Sequence, residues 1–378
     1  MEIVVGSKHL ATQVFTALDN AGREHLVIVA KATWQIPAAG QRPRPLEPVA
    51  IAASDIYLGE PGDSPMLYGA DTVRFKPSCD VLFNANAYAP AGSPQRVWMV
   101  GFRIGNLQKT LRVYGPRHWI KRLGAHELSE AVAAESVPLH HGMAFGGSRL
   151  WERTHNGKSE HLTEALLSNP CGKGWAGPNT LEQIDGMPAP QLESPNDAIS
   201  KPNGKHQPHA LSAVGRHWLP RSQYAGTYDE NWQREVFPFL PEDFDDRFNQ
   251  CAPVDQQIAY PTGGEEVVLL NLSKTSPDIR FRLPNLGQPV VRVLRDDYQV
   301  EMPACVVDTL YFEPDLGQFS AVWRTSTPVK RRIQEFKTIA IGTVNTEWWR
   351  AQQLGLNGGC VGCGRPSEAA YDDEEEDA

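Results

Sequence analysis

A chain of 378 residues that is 41% hydrophobic and 21% charged has the apolar material for a packed core, which excludes wholesale disorder. Gly (32) and Pro (30) end helices and shape turns, and their abundance argues against a mainly helical protein. The net charge of −9 sits largely in Asp372, Asp373, Glu374, Glu375, Glu376 and Asp377; without these six acids the body carries −3 and offers no basic footprint for nucleic acid.

The N-terminal MEIVVGSKHL lacks the basic start and long apolar stretch of a signal peptide. Residues 13–18 and 25–34, rich in β-branched and aromatic types, flank Asp19-Asn20-Ala21-Gly22 and predict a hairpin. Four prolines make 37–50 a loop. Three strands are expected at 80–88, 95–104 and 109–114, the last two joined by Gly105-Asn106. Short helices are expected at Glu127–Glu135 and at Ser159–Ser168, where Leu162, Leu166 and Leu167 share a face. Residues 169–262 read as irregular but rich in aromatics, with 185–209 an exposed loop. Strands return at 265–272, 278–283, 290–294, 304–312 and 318–324. Residues 327–337 are basic, and 346–355 fit one or two turns of amphipathic helix. No apolar run approaches the ~20 residues that span a bilayer. Four of the six cysteines are isolated, which is no disulfide framework, so a soluble cytoplasmic protein is expected.

Many strands with few helices predict a mainly β fold, with sandwich- or barrel-like antiparallel sheets and long irregular loops. The expected organisation is one β unit over 1–326 with a loop-rich insertion at about 120–262, then a C-terminal extension over 327–378.

Motifs for catalysis are weak. No Gly-x-Ser-x-Gly elbow occurs, and Gly146-Gly147-Ser148 reads as a glycine turn. Gly172-Lys173-Gly174 and Gly263-Gly264 lack nucleotide-loop spacing. His140 and His141, adjacent in an extended chain, point to opposite faces. Cys360-x-x-Cys363 has zinc spacing but no second pair, so it is a weak metal candidate and no metal or cofactor is expected. The acids of Leu240-Pro241-Glu242-Asp243-Phe244-Asp245-Asp246 fit turn caps better than a calcium loop. Trp175, Trp218, Arg221, Tyr224, Tyr228 and Trp232 have the composition of an interface, and they are the candidate partner-binding residues.

In chain order, Lys31-Ala32-Thr33-Trp34, Asp71, Lys76-Pro77, Asp80-Val81-Leu82, Gly115-Pro116-Arg117-His118-Trp119, Ala144-Phe145-Gly146-Gly147, Asn169-Pro170-x-Gly172, Trp218-x-Pro220-Arg221, Ala225-Gly226-Thr227-Tyr228-Asp229 and Ala252-Pro253-x-Asp255-Gln256-Gln257 form a specific series. Over about residues 10–325 it resembles the bacterial family known as domain of unknown function 2169. That resemblance implies a non-enzymatic type VI secretion adaptor or effector chaperone. Such a protein binds a cognate effector in the cytoplasm, stabilises it and helps load it onto the valine-glycine-repeat (VgrG) spike with its PAAR tip. The implied partners are the effector and spike proteins, with neither nucleic acid nor membrane. The resemblance carries no catalytic residues. The rival expectation is a carboxylate-dependent hydrolase of cell-wall or glycan polymers using Asp243 and Asp245, or Asp229.

Overall fold

The structure is a computed structural model that describes residues 1–155, 158–287 and 289–356. It is mainly β, with antiparallel sheets and, among the described residues, three α-helices and no closed barrel. The largest sheet has six strands in the spatial order Gln257–Ile258, Cys79–Phe83, Val306–Glu313, Gln318–Pro328, Glu24–Gln35 and Ala11–Leu18. A five-stranded sheet follows the order Leu192–Glu193, Leu107–Tyr114, Val97–Ile104, Glu266–Leu270 and Asp278–Arg282. Both predicted hairpins form: Val14 lies opposite Ile28, and Ile104 opposite Leu107 across Gly105-Asn106. Gly105 there takes the positive φ that a two-residue hairpin turn demands.

Strand periodicity explains how the sheets meet. Along Glu24–Gln35, Leu26, Ile28, Ala30, Ala32 and Trp34 enter the main core together with Trp98, Val100 and Phe102 of the five-stranded sheet. Rings interlock across this interface, with Phe83–Phe102 centroids 4.5 Å apart and Phe281–Phe319 centroids 5.3 Å apart. The alternate residues Val27, Val29, Lys31 and Thr33 are buried too, because loops cover the opposite face. Burial on both faces is why this strand reads as a nearly continuous apolar run.

That covered face holds buried charge. Lys76 Nζ donates to Asp80 at 2.9 Å and to Thr309 Oγ1 at 2.9 Å. Asp80 also accepts from the Cys251 and Ala252 amides and from Gln250. Burial alone would raise the Asp80 pKa, but Lys76 and these donors hold it below the ordinary value. Lys31 pairs with Asp71 at 3.2 Å, and Arg324 with Asp308.

Several sequence expectations change. Ser159–Ser168 is not a helix: Lys158–Ala165 is a strand paired with Ser148–His155. Leu162 lies opposite Trp151, Leu166 follows the strand and packs on the Trp119 cluster, and Leu167 stays exposed, so the three leucines share no buried helical face. Glu127–Glu135 is not a helix either. Ala125–Leu128 pairs with Trp119–Arg122, whose Trp119 anchors a separate buried cluster, while Val132 is exposed. The 185–209 segment is not simply exposed, because Leu192–Glu193 pairs onto Leu107–Tyr114 and Ala189, Leu192 and Ile199 are buried. Residue 327 falls inside the Gln318–Pro328 strand, and Phe336–Ile341 then lies between Glu2–Val5 and Val291–Arg295 in a four-stranded sheet. A helix at Thr346–Gln353, capped by Asn345, closes the described chain. Cys360, Cys363 and the acidic tail lie outside the described residues.

Candidate functional site: an aromatic platform

Residues 215–250 wrap the outer face of the fold, and a short set of polar clips shapes them. Trp218 is buried, edge-on to the His141 ring at 5.3 Å, and a Cβ on Gly215 would meet the indole at 2.6 Å. Arg221 follows in the short Leu219–Ser222 helix and is 3% exposed. Its guanidinium donates to the Phe248 carbonyl through Nε (3.1 Å) and Nη2 (2.9 Å), and to the Val214 carbonyl through Nη1 (3.0 Å). Arg216 forks onto Asp55 with contacts of 2.9 and 3.0 Å. These residues fasten the segment to the β body.

Beyond the clips the chain turns outward. Gly226 takes φ +82°, and a Cβ there would sit 2.8 Å from Pro241. Asp243 closes this turn by accepting from the Thr227 N–H (2.9 Å) and hydroxyl (2.8 Å). Asp229 caps the Glu230–Glu235 helix by accepting from the Trp232 N–H at 2.8 Å. Asp245 accepts from Arg247 N–H and pairs with its guanidinium, which lies 4.2 Å from the Tyr224 ring centroid. The hydrogen bonds from Thr227 to Asp243, and from Arg247 to Asp245, lower both carboxyl pKa values. A general acid requires the opposite shift.

The product of these turns is an exposed cluster of rings. Trp232 sits at its centre, edge-on to Tyr228 at 4.7 Å and to Phe237 at 5.6 Å. Its indole N–H donates to the Phe239 carbonyl at 3.0 Å. Phe239 leans on the Gly22 turn, where an added Cβ would touch its ring at 3.1 Å. Yet Tyr228, Phe237 and Phe239 remain 53%, 65% and 45% exposed. Adjacent large rings left this open make an exposed apolar patch of the kind that interaction surfaces use. The rim is acidic: Glu230, Glu235 and Glu242 have no ion-pair partner among the described residues, against one similarly unpaired base, Arg234.

Of the six candidate residues, the structure brings only Tyr228 and Trp232 onto this platform, with Tyr224 nearby over Arg247. Trp218 and Arg221 are buried fasteners, because a planar ring and a five-donor fork are equally suited to holding a loop down. Trp175 is half-buried against the separate Trp119–Phe145 cluster. The residues missed are Phe237 and Phe239. Their signal was present in Phe237-Pro238-Phe239, where a central proline prevents both rings from entering a regular element.

A family model described as "Uncharacterized protein conserved in bacteria (DUF2169)" matches residues 21–324. No curated protein and no solved structure matches the chain.

Proposed function

The chain belongs to the DUF2169 family, and on that premise we propose that it is a type VI secretion adaptor. In this reading it binds a cognate effector in the cytoplasm, keeps it stable and helps deliver it to the VgrG/PAAR spike. One observation carries the proposal: the exposed Tyr228–Trp232–Phe237–Phe239 platform is held on a rigid β body by buried clips. Rigid aromatics lose little conformational freedom on docking and dominate interface energetics. A standard interface takes about 800 Å² from each partner, so the neighbouring loops would have to contribute alongside the rings. The acidic rim favours an effector segment that combines apolar side chains with positive charge.

Co-expression with the cognate effector tests this reading. The expected outcome is a soluble complex, lost in Phe237→Ala and Trp232→Ala while the variants themselves stay folded. An effector that is equally stable and equally secreted without this protein ends the proposal.

A further inference from the structure

The Ala11–Leu18 strand forms one edge of the six-stranded sheet, and its hydrogen-bond phase can be read from its turn. Asp19 N–H donates to the Arg23 carbonyl at 2.9 Å, so this pair faces inward. Antiparallel pairing alternates, so Ala17, Phe15, Gln13 and Ala11 also bond toward the neighbouring strand. The far side agrees: Glu24, opposite Leu18, offers its carbonyl to Val329 N–H at 2.8 Å, away from the edge strand. Thr12, Val14, Thr16 and Leu18 therefore direct both backbone groups outward, and none of these groups has a bond to a loop among the described residues.

Proteins usually protect such an edge with charge, proline, a bulge or a short strand. This one has eight residues, no charge, no proline and an unbroken register. Open backbone donors and acceptors at strand spacing are matched by another extended backbone. The arrangement is also self-complementary. A two-fold axis at Phe15 sets Thr12 opposite Leu18 and Val14 opposite Thr16 of a second copy. All four outward residues of each copy then fall in hydrogen-bonded pairs, and the two Phe15 residues lie directly opposite each other. The absence of charge removes like-charge repulsion across the axis.

We propose that two copies of this chain pair through their Ala11–Leu18 edges, antiparallel about a two-fold axis at Phe15, joining two six-stranded sheets into one. This interface is separate from the aromatic platform and stands whether or not the platform binds an effector.

Sedimentation equilibrium of the full chain over a concentration series tests it. The expected mass approaches twice 41.8 kDa. Thr16 is exposed, so Thr16→Lys adds an edge charge without touching the core, and it should weaken self-association by about tenfold or more with an unchanged circular dichroism spectrum. Thr16→Pro, which removes one outward donor at a position an edge strand tolerates, should do the same. If Thr16→Pro misfolds, Thr16→Lys alone decides. A single-chain mass at every concentration overturns the proposal, and so does a dimer that persists unchanged in folded Thr16→Lys. A monomer that pairs only with an extended segment of a different protein is a single-chain mass and overturns it equally.

Discussion

The covered face of the six-stranded sheet and the aromatic platform both combine rings with charges, and they do so in opposite ways. On the sheet face, Lys76, Asp80, Lys31 and Asp71 are nearly sealed from water, and each is tied to an opposite charge. Tyr68 and Tyr311 close over them, with ring centroids 4.4 Å apart. On the platform the rings are half open, and Glu230, Glu235 and Glu242 have no ion-pair partner among the described residues. A charge buried without a partner is severely destabilising, so the first arrangement forces exact pairing and fixes the loops that supply it. An exposed charge costs little, so the second can leave its rim unbalanced. The lesson is that residues of interface type are not themselves a site. Trp218 and Arg221 have the composition of the platform and the environment of the sheet face.

Substitutions can break this contrast, and the largest effect is expected on the sheet face. Asp80→Ala leaves the Lys76 ammonium buried and unpaired, which should cost about 3–5 kcal/mol in chemical denaturation. Arg221→Ala removes three hydrogen bonds to carbonyls and should cost about 2–3 kcal/mol, with residues 215–250 becoming the first site of limited proteolysis. A stable Arg221→Ala that no longer bound a partner would instead move Arg221 into the interface.

The Asp19 turn, between the two regions, should show a smaller and pH-dependent effect. Burial would raise the Asp19 pKa, but hydrogen bonds from Arg23, His25 and Ala21 outweigh it and bring the carboxyl to about 2 from 3.8. A depressed carboxylate contributes stability that is complete above its unfolded pKa and lost as the pH falls through the folded one. Asp19→Asn should therefore cost about 1 kcal/mol at neutral pH, and the gap from the parent should close between pH 4 and pH 2. A constant gap across that range would show that the turn depends on shape and not on charge. The smallest effect is expected on the platform. Phe237→Ala should change stability by less than about 0.5 kcal/mol, since its ring is mostly in water. A much larger loss would mean that the platform is a structural lid.

The strands flanking Asp19–Gly22 and Gly105-Asn106 were legible because alternation and turn chemistry are local. The Lys158–Ala165 strand was not: Leu162, Leu166 and Leu167 also fit a helical face, and the strand state depends on a partner strand and on Glu164 holding Asn179 and Thr180. Phe336–Ile341 was hidden by the basic residues before it, although its side chains are almost all buried. At the platform, the sequence showed that the segment was aromatic but not which rings faced water.

The amino-acid order alone determined the mainly β class, the principal hairpins and the motif series by which the chain resembles its family, because each depends on residues near one another in the chain. Only the tertiary structure decided which charges were buried in pairs, which aromatics became fasteners and which formed the open platform. Those outcomes depend on what lies across the fold, such as Phe248 over Arg221, His141 against Trp218 and Gly22 beneath Phe239. Burial is a property of such neighbours, and residue type alone does not specify them.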